Sequence, residues 1–163
     1  MKRALILTVL VFCAAQRSLP ASEITIESVI AEMNRCRIER GFAPYTRDMR
    51  LEAAASDRMN DMEELGYWAH VSPDGRSPFS WIPLRGYLFR AAGENLAGGF
   101  ETAELLVTSW MESKGHRANI LSPDFRSVGI AIIDGSPTGR AMGKSVVVLF
   151  AAEIVQPVKR VAK

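Results

Sequence analysis

The order in which hydrophobic periodicities change along this chain restricts its fold more than any other feature. Up to about residue 113 the apolar residues recur at helical spacing, whereas beyond Ser122-Pro123 two β-branched segments, Ser127 to Ile133 and Ser145 to Ile154, flank Asp134-Gly135-Ser136-Pro137-Thr138-Gly139. Those two segments read as a terminal antiparallel hairpin with a long loop. Helices that precede such a hairpin predict an α+β layered domain, because alternating βαβ units would be needed for a parallel sheet.

Three long helices are expected before the hairpin. Ser22 to Arg40 places Ile26, Val29, Ile30 and Met33 at i, i+3, i+4 and i+7, with Gly41 positioned to end it. Arg50 to Leu65 carries Leu51, Ala54, Ala55, Met59, Met62 and Leu65 on one side and stops at Gly66. Thr102 to Ser113 carries Ala103, Leu106, Val107 and Trp110 on one stripe, with Gly115 as its expected terminator. Between the second and third, Ser77-Pro78 reads as an N-cap and first helical position opening a short helix through Trp81. No internal repeat and no long linker divides the chain.

Lys2 and Arg3 followed by an uncharged run from Ala4 to Ala15 have the layout of an export signal, and the run is too short to span a bilayer. Residues 1–21 are expected to be a signal peptide cut after Ala21, with Ala15 the alternative, and the product to be secreted, extracellular or periplasmic, without a transmembrane segment. Residues 22–156 then form the domain and 157–163 a solvated tail. Cleavage removes Lys2, Arg3 and Arg17 and no acid, so the formal charge falls from +2 to −1. No basic run interleaved with aromatics remains, and nucleic-acid binding loses its electrostatic basis. Cys13 leaves with the signal, which makes an intramolecular disulfide impossible. Cys36, in phase with the apolar row of the first helix, is expected to be a buried, inert thiol.

The chain has two histidines, and both fall in turn-rich stretches. His70 precedes Ser72-Pro73-Asp74-Gly75, which suits a type I turn. His116 follows Gly115 and is expected to start the turn after the third helix. Between them, Ala92-Gly93-Glu94-Asn95-Leu96-Ala97-Gly98-Gly99 offers a carboxylate, its glycines consistent with turns and close backbone packing around a short strand. Brought together, His70, Glu94 and His116 form a site with two chemistries. Two imidazoles and a carboxylate are the minimal first shell of a zinc-like ion with an open position, His70 and His116 being the expected metal ligands. A histidine with a carboxylate is also an acid/base pair. No His-Glu-x-x-His helix, Gly-x-Ser-x-Gly turn or phosphate-binding Gly-Lys-Ser/Thr occurs, so a local zinc motif, a serine nucleophile and a nucleotide site are disfavoured.

Three stretches in order carry a family resemblance: His70-Val71-Ser72-Pro73-Asp74-Gly75-Arg76-Ser77-Pro78-Phe79, then Ala92 to Ala97, then Trp110 to Leu121 continued through Ser122 to Ile130. Together they resemble the CAP superfamily (cysteine-rich secretory, antigen 5 and pathogenesis-related proteins, with an SCP-like domain), in its secreted bacterial branch. The resemblance implies a three-layer α-β-α sandwich with a central, mainly antiparallel sheet. It places His70, Glu94 and His116 in a cleft. The family's second glutamate would fall at Ser113, with Glu112 one residue earlier as an additional candidate. The disulfides of other members are missing. The expected role is an extracellular binding or scaffold module that holds a divalent metal such as zinc in this cleft, with binding favoured over catalysis. The alternatives are a metal- or His-assisted hydrolase of peptide or cell-envelope material, and a lipid-binding protein. The partner is an unidentified extracellular ligand, a lipid or cell-envelope component among the options.

Overall fold

The computed structural model describes residues 23–139 and 143–154; the expected signal peptide and the 157–163 tail lie outside them. In chain order the elements are α1 (Ile26–Ile38), β1 (Thr46–Arg47), α2 (Met49–Leu65), α3 (Trp81–Leu84), β2 (Phe89–Phe100), α4 (Ala103–Glu112), α5 (Lys114–Ile120), β3 (Ser127–Asp134) and β4 (Lys144–Glu153).

The long helices start where side chains satisfy the exposed first-turn amides. Thr25 and Ser28 form a reciprocal capping box at α1, Asp48 accepts from the Arg50 amide at α2, and Thr102 accepts from the Leu105 amide at α4. Gly66, at φ 65°, closes α2 in the left-handed conformation expected of it. Two expectations are corrected. The short helix begins at Trp81, where it was expected to end, because Ser77 to Ser80 form a turn in which the Ser80 amide donates to the Ser77 carbonyl. Gly115 does not end a helix: the break comes at Ser113, whose backbone is extended (φ −80°, ψ 124°), and Gly115 lies inside α5. His116 is therefore a helical residue.

The sheet order is β1-β3-β4-β2, with β1 parallel to β3 and the other two ladders antiparallel. β4 is the spine. Val146, Val148, Phe150 and Ala152 face the layer of α1, α4 and α5, while Val147, Leu149 and Ala151 face that of α2 and α3. A central strand buried on both faces explains the nearly unbroken apolar run of the sequence. The three-layer sandwich is thus as expected, and Cys36 is a buried free thiol in the first core. The glycine-rich stretch forms most of β2, a strand of 12 residues rather than a short one. Gly129 shows how closely the layers meet: a Cβ there would stand 2.0 Å from the Leu51 carbonyl carbon. Only glycine lets α2 lie directly on β3.

Candidate functional site

The site forms along β2, an edge strand with β4 on one side. Successive side chains of a strand point to opposite faces, and here that alternation sends Glu94 toward α2 and Asn95 toward α5. His70 arrives from the loop after α2 and His116 from α5. The two imidazoles therefore come from opposite outer layers, one on each side of β2.

His70 Nδ1 lies 2.7 Å from Glu94 Oε1. The His70 side chain is 54% exposed, whereas that of Glu94 is 1% exposed. The other carboxylate oxygen, Oε2, accepts from Arg58 Nε at 3.0 Å, and Arg58 is wholly buried in α2. The same guanidinium donates through Nη2 to the carbonyls of Ala69 (2.5 Å) and His70 (3.0 Å), and through Nη1 to the Tyr67 hydroxyl. Tyr67 in turn donates to Asp61, which stands 3.7 Å from Arg76. Arg58 thus fixes His70 twice, by its backbone and by the carboxylate its ring faces. Burial pushes the Glu94 carboxyl above the ordinary glutamate value, against the opposing pull of Arg58 and of the His70 hydrogen bond. Burial also raises Tyr67, to about 12, helped by its bond to Asp61.

The turn beyond His70 is built as its sequence suggests. The Gly75 amide donates to the Ser72 carbonyl at 2.9 Å, Gly75 has φ 82°, and the Arg76 amide returns to Ser72 Oγ at 3.0 Å.

On the other layer, asparagines attach α5 to β2. Asn119 Nδ2 donates to the Glu94 carbonyl (3.1 Å) and to Asn95 Oδ1 (2.8 Å), and Asn95 Nδ2 donates to the His116 carbonyl (3.2 Å). Gly93 makes room for this arrangement, since a Cβ there would stand 2.6 Å from Asn119 Oδ1. Trp110 Nε1 donates to the Leu96 carbonyl at 3.0 Å, and its ring centroid lies 6.4 Å from that of His116. Burial, and then the positive charge of His70, hold His116 below the ordinary histidine pKa. His70 and Glu94 are in contact, and His116 packs beside Trp110 on the other layer. Glu112 ends α4 on an exposed position, with no hydrogen bond or ion pair among the described residues.

Because both Glu94 oxygens are engaged, the carboxylate orients His70 and leaves Nε2 as that ring's available donor atom. Among the described residues no three His, Cys, Asp or Glu side chains converge as a metal-binding group. The residues present do not form a closed three-residue cage among the described residues. Arg58, Tyr67, Asn95 and Asn119 are the supporting residues that the sequence reading passed over. For Arg58 a signal existed: it falls in phase with Leu51, Ala55 and Met62 on the apolar stripe of its helix.

Residues 30–150 match the cysteine-rich secretory protein family, CAP. The uncharacterized protein YkwD of Bacillus subtilis is 36% identical over 118 residues, which is 72% of this chain and 46% of that protein. The uncharacterized membrane protein YlbC of the same organism is 29% identical over 111 residues, 68% of this chain and 32% of that one. The chain thus spans less than half the length of these relatives. Among solved structures, an outer surface protein of Borrelia burgdorferi superposes with a TM-score of 0.69 at 20% identity, covering 82% of this chain and 99% of that one. An extracellular SCP-domain protein of Bacillus anthracis superposes with a TM-score of 0.62 at 21% identity, covering 78% and 40%. The agreement in fold and the family match across most of the chain show that this protein belongs to the CAP, or cysteine-rich secretory protein, family.

Proposed function

We propose that this protein is an exported binding or scaffold module whose cleft, at the rim of β2, holds a divalent metal of the zinc type between His70 and His116. The observation that carries this reading is the state of His70: its Nδ1 faces a buried carboxylate and its exposed ring leaves Nε2 available. A carboxylate behind a histidine fixes the tautomer and strengthens the other nitrogen as a ligand. Arg58 supports this by keeping positive charge against Glu94, and the lowered pKa of His116 favours the neutral imidazole that coordination requires. A bound ion would supply a Lewis-acidic centre open to solvent and to an incoming ligand. Export rests on the expected signal peptide, and no helix among the described residues is long and apolar enough to cross a membrane.

Calorimetric titration with zinc tests the metal. One ion per chain is expected, with at least ten-fold weaker binding in His70→Ala and in His116→Ala. Binding by the wild type no stronger than by the double variant would remove the metal from the proposal.

The His70–Glu94 contact also favours a second reading, a hydrolase of peptide or cell-envelope material in which His70 takes a proton from water. That reading predicts turnover that disappears in Glu94→Gln while the fold is retained. A zinc-loaded protein inert toward peptidoglycan and a peptide library argues against it.

A further inference from the structure

Eight large apolar side chains are exposed among the described residues, and four of them lie at one end of the sheet: Leu84 (75% exposed), Met49 (66%), Leu88 and Ile154 (47% each). Backbone and ion-pair contacts fix their common location. The Ile154 amide donates to the Leu88 carbonyl at 2.8 Å, where β2 begins and β4 ends. Leu84 stands on the turn that leads into β2, closed by the Gly86 amide on the Pro83 carbonyl (3.0 Å) with Gly86 at φ 75°. Met49 opens α2 beside Arg50, whose guanidinium reaches Glu153 at 2.7 Å and lies 4.6 Å from the centre of the Tyr87 ring. Exposed apolar residues are ordinary when scattered singly, but a group of them at one end marks an interaction surface.

The charges at this end narrow the choice of partner. Arg85 pairs with Asp57 (2.5 Å) and Arg90 with Asp124 (2.9 Å), while Arg50 is shared by Asp48 (2.7 Å) and Glu153. Two carboxylates on Arg50 leave one negative charge over. The sequence that continues from Ile154, Val155 to Lys163, outweighs it with Lys159, Arg160 and Lys163, and contains three valines and no acidic residue. Apolar side chains beside an excess of positive charge suit an anionic lipid surface, where the apolar groups enter the acyl boundary and the cations meet the head groups.

We propose that this end of the sheet docks on an anionic lipid surface, with Leu84, Leu88, Ile154 and Met49 inserted shallowly and Lys159, Arg160 and Lys163 against the head groups. The docking site is separate from the histidines. Glu94 comes six residues after Leu88, about 20 Å along the strand, so the cleft stays clear of the surface and open to solvent. The attachment is peripheral, since no helix among the described residues is long and apolar enough to cross a membrane.

The test is co-sedimentation of residues 22–163 with lipid vesicles. Vesicles of equal parts phosphatidylglycerol and phosphatidylcholine are expected to bind the protein at least ten-fold more tightly than phosphatidylcholine alone, and salt at about 0.5 M should remove most of that preference. Leu84→Ser with Leu88→Ser, both at exposed positions, should weaken binding at least ten-fold with the unfolding midpoint unchanged. Lys159→Gln, Arg160→Gln and Lys163→Gln together should reduce binding to the level seen with phosphatidylcholine. A new tryptophan checks the location: on addition of vesicles Leu84→Trp should show blue-shifted emission in the difference from the parent protein, and Leu105→Trp, at an exposed position on α4, should show none. No binding to the phosphatidylglycerol vesicles, equal binding to both lipids, undiminished binding by the serine pair, or a blue shift at Leu105 in place of Leu84 would overturn the proposal. So would self-association without lipid that the serine pair abolishes, which would assign this end to a second copy of the chain.

Discussion

Each face of the sheet buries one arginine completely, and the two are held by different means. Arg58, on the α2 face, meets the carboxylate of Glu94 at 3.0 Å. Arg37, on the α1 face, has no carboxylate in bridging range among the described residues. Its Nε donates to the Ala43 carbonyl (2.6 Å), its Nη1 to those of Ile120 (2.7 Å) and Ser122 (2.9 Å), and its guanidinium stacks 3.9 Å from the centre of the Tyr45 ring. These are dipoles, quadrupoles and the carbonyl end of α5, where partial negative charge accumulates. Burial accordingly lowers the Arg37 pKa from the ordinary arginine value. The difference separates scaffold from site. Arg37 ties the end of α1 to the end of α5 and goes no further, whereas Arg58 is linked through one carboxylate to an exposed imidazole.

Removing the two charges tests that distinction. Arg58→Met leaves Glu94 buried beside an exposed histidine with no guanidinium, and should cost about 3–5 kcal/mol in denaturant unfolding. It should also blur the His70 tautomer in nitrogen-detected NMR, because the ring loses its fixed partner. Combining it with Glu94→Leu should recover most of the stability, since replacing both members of a buried ion pair by apolar groups is often neutral or better. Arg37→Met removes hydrogen bonds without stranding an opposite charge, so a smaller loss of about 1–3 kcal/mol is expected. No single second substitution should rescue it. If Arg37→Met costs more than Arg58→Met, or if the Arg58→Met, Glu94→Leu pair shows no recovery, the distinction between the two faces is wrong.

What the sequence revealed, and what it hid, follows the same physics. The layers were legible because α2 buries residues at the helical period its apolar residues display, and β4 has the unbroken apolar run of a strand buried on both faces. His70 and Glu94 were legible because they stand out chemically within turn- and glycine-rich stretches. The two arginines were overlooked because a basic residue on a helix is usually solvated. Yet Arg37 falls four residues after Met33 and Arg58 seven after Leu51, in phase with the buried stripes, where a charge has to find a partner inside. Asn119 could not be paired with β2 from sequence, because its partners lie 24 and 25 residues away across a layer boundary. The placement of His116 failed for a local reason. Gly115 stands where a helix stop is expected, but it has no positive φ; α5 starts anew from Ser113, whose carbonyl accepts the Arg117 amide at 2.9 Å.

The smallest expected effect concerns the histidine on the Arg37 face. His116 is half-buried beside Trp110 and has its pKa lowered below 6.5, first by burial and then by the charge of His70. The folded protein therefore prefers the neutral ring, while the unfolded chain takes up a proton near pH 6.5. The stabilisation from this preference is complete above that value and is lost as pH falls through the lower folded-state pKa. In metal-free protein the unfolding midpoint should thus decline from pH 7 toward pH 5, and His116→Gln should reduce that decline; the raised Glu94 carboxyl works the other way, since the fold favours its protonated form as pH falls. Adding zinc should raise the wild-type midpoint at pH 7 by mass action and lose that effect at pH 5, where protons compete for the same nitrogens. A zinc effect that persists at pH 5, or that survives in His116→Gln, would place the ion elsewhere and leave His116 as a packing residue of its face, as Arg37 is.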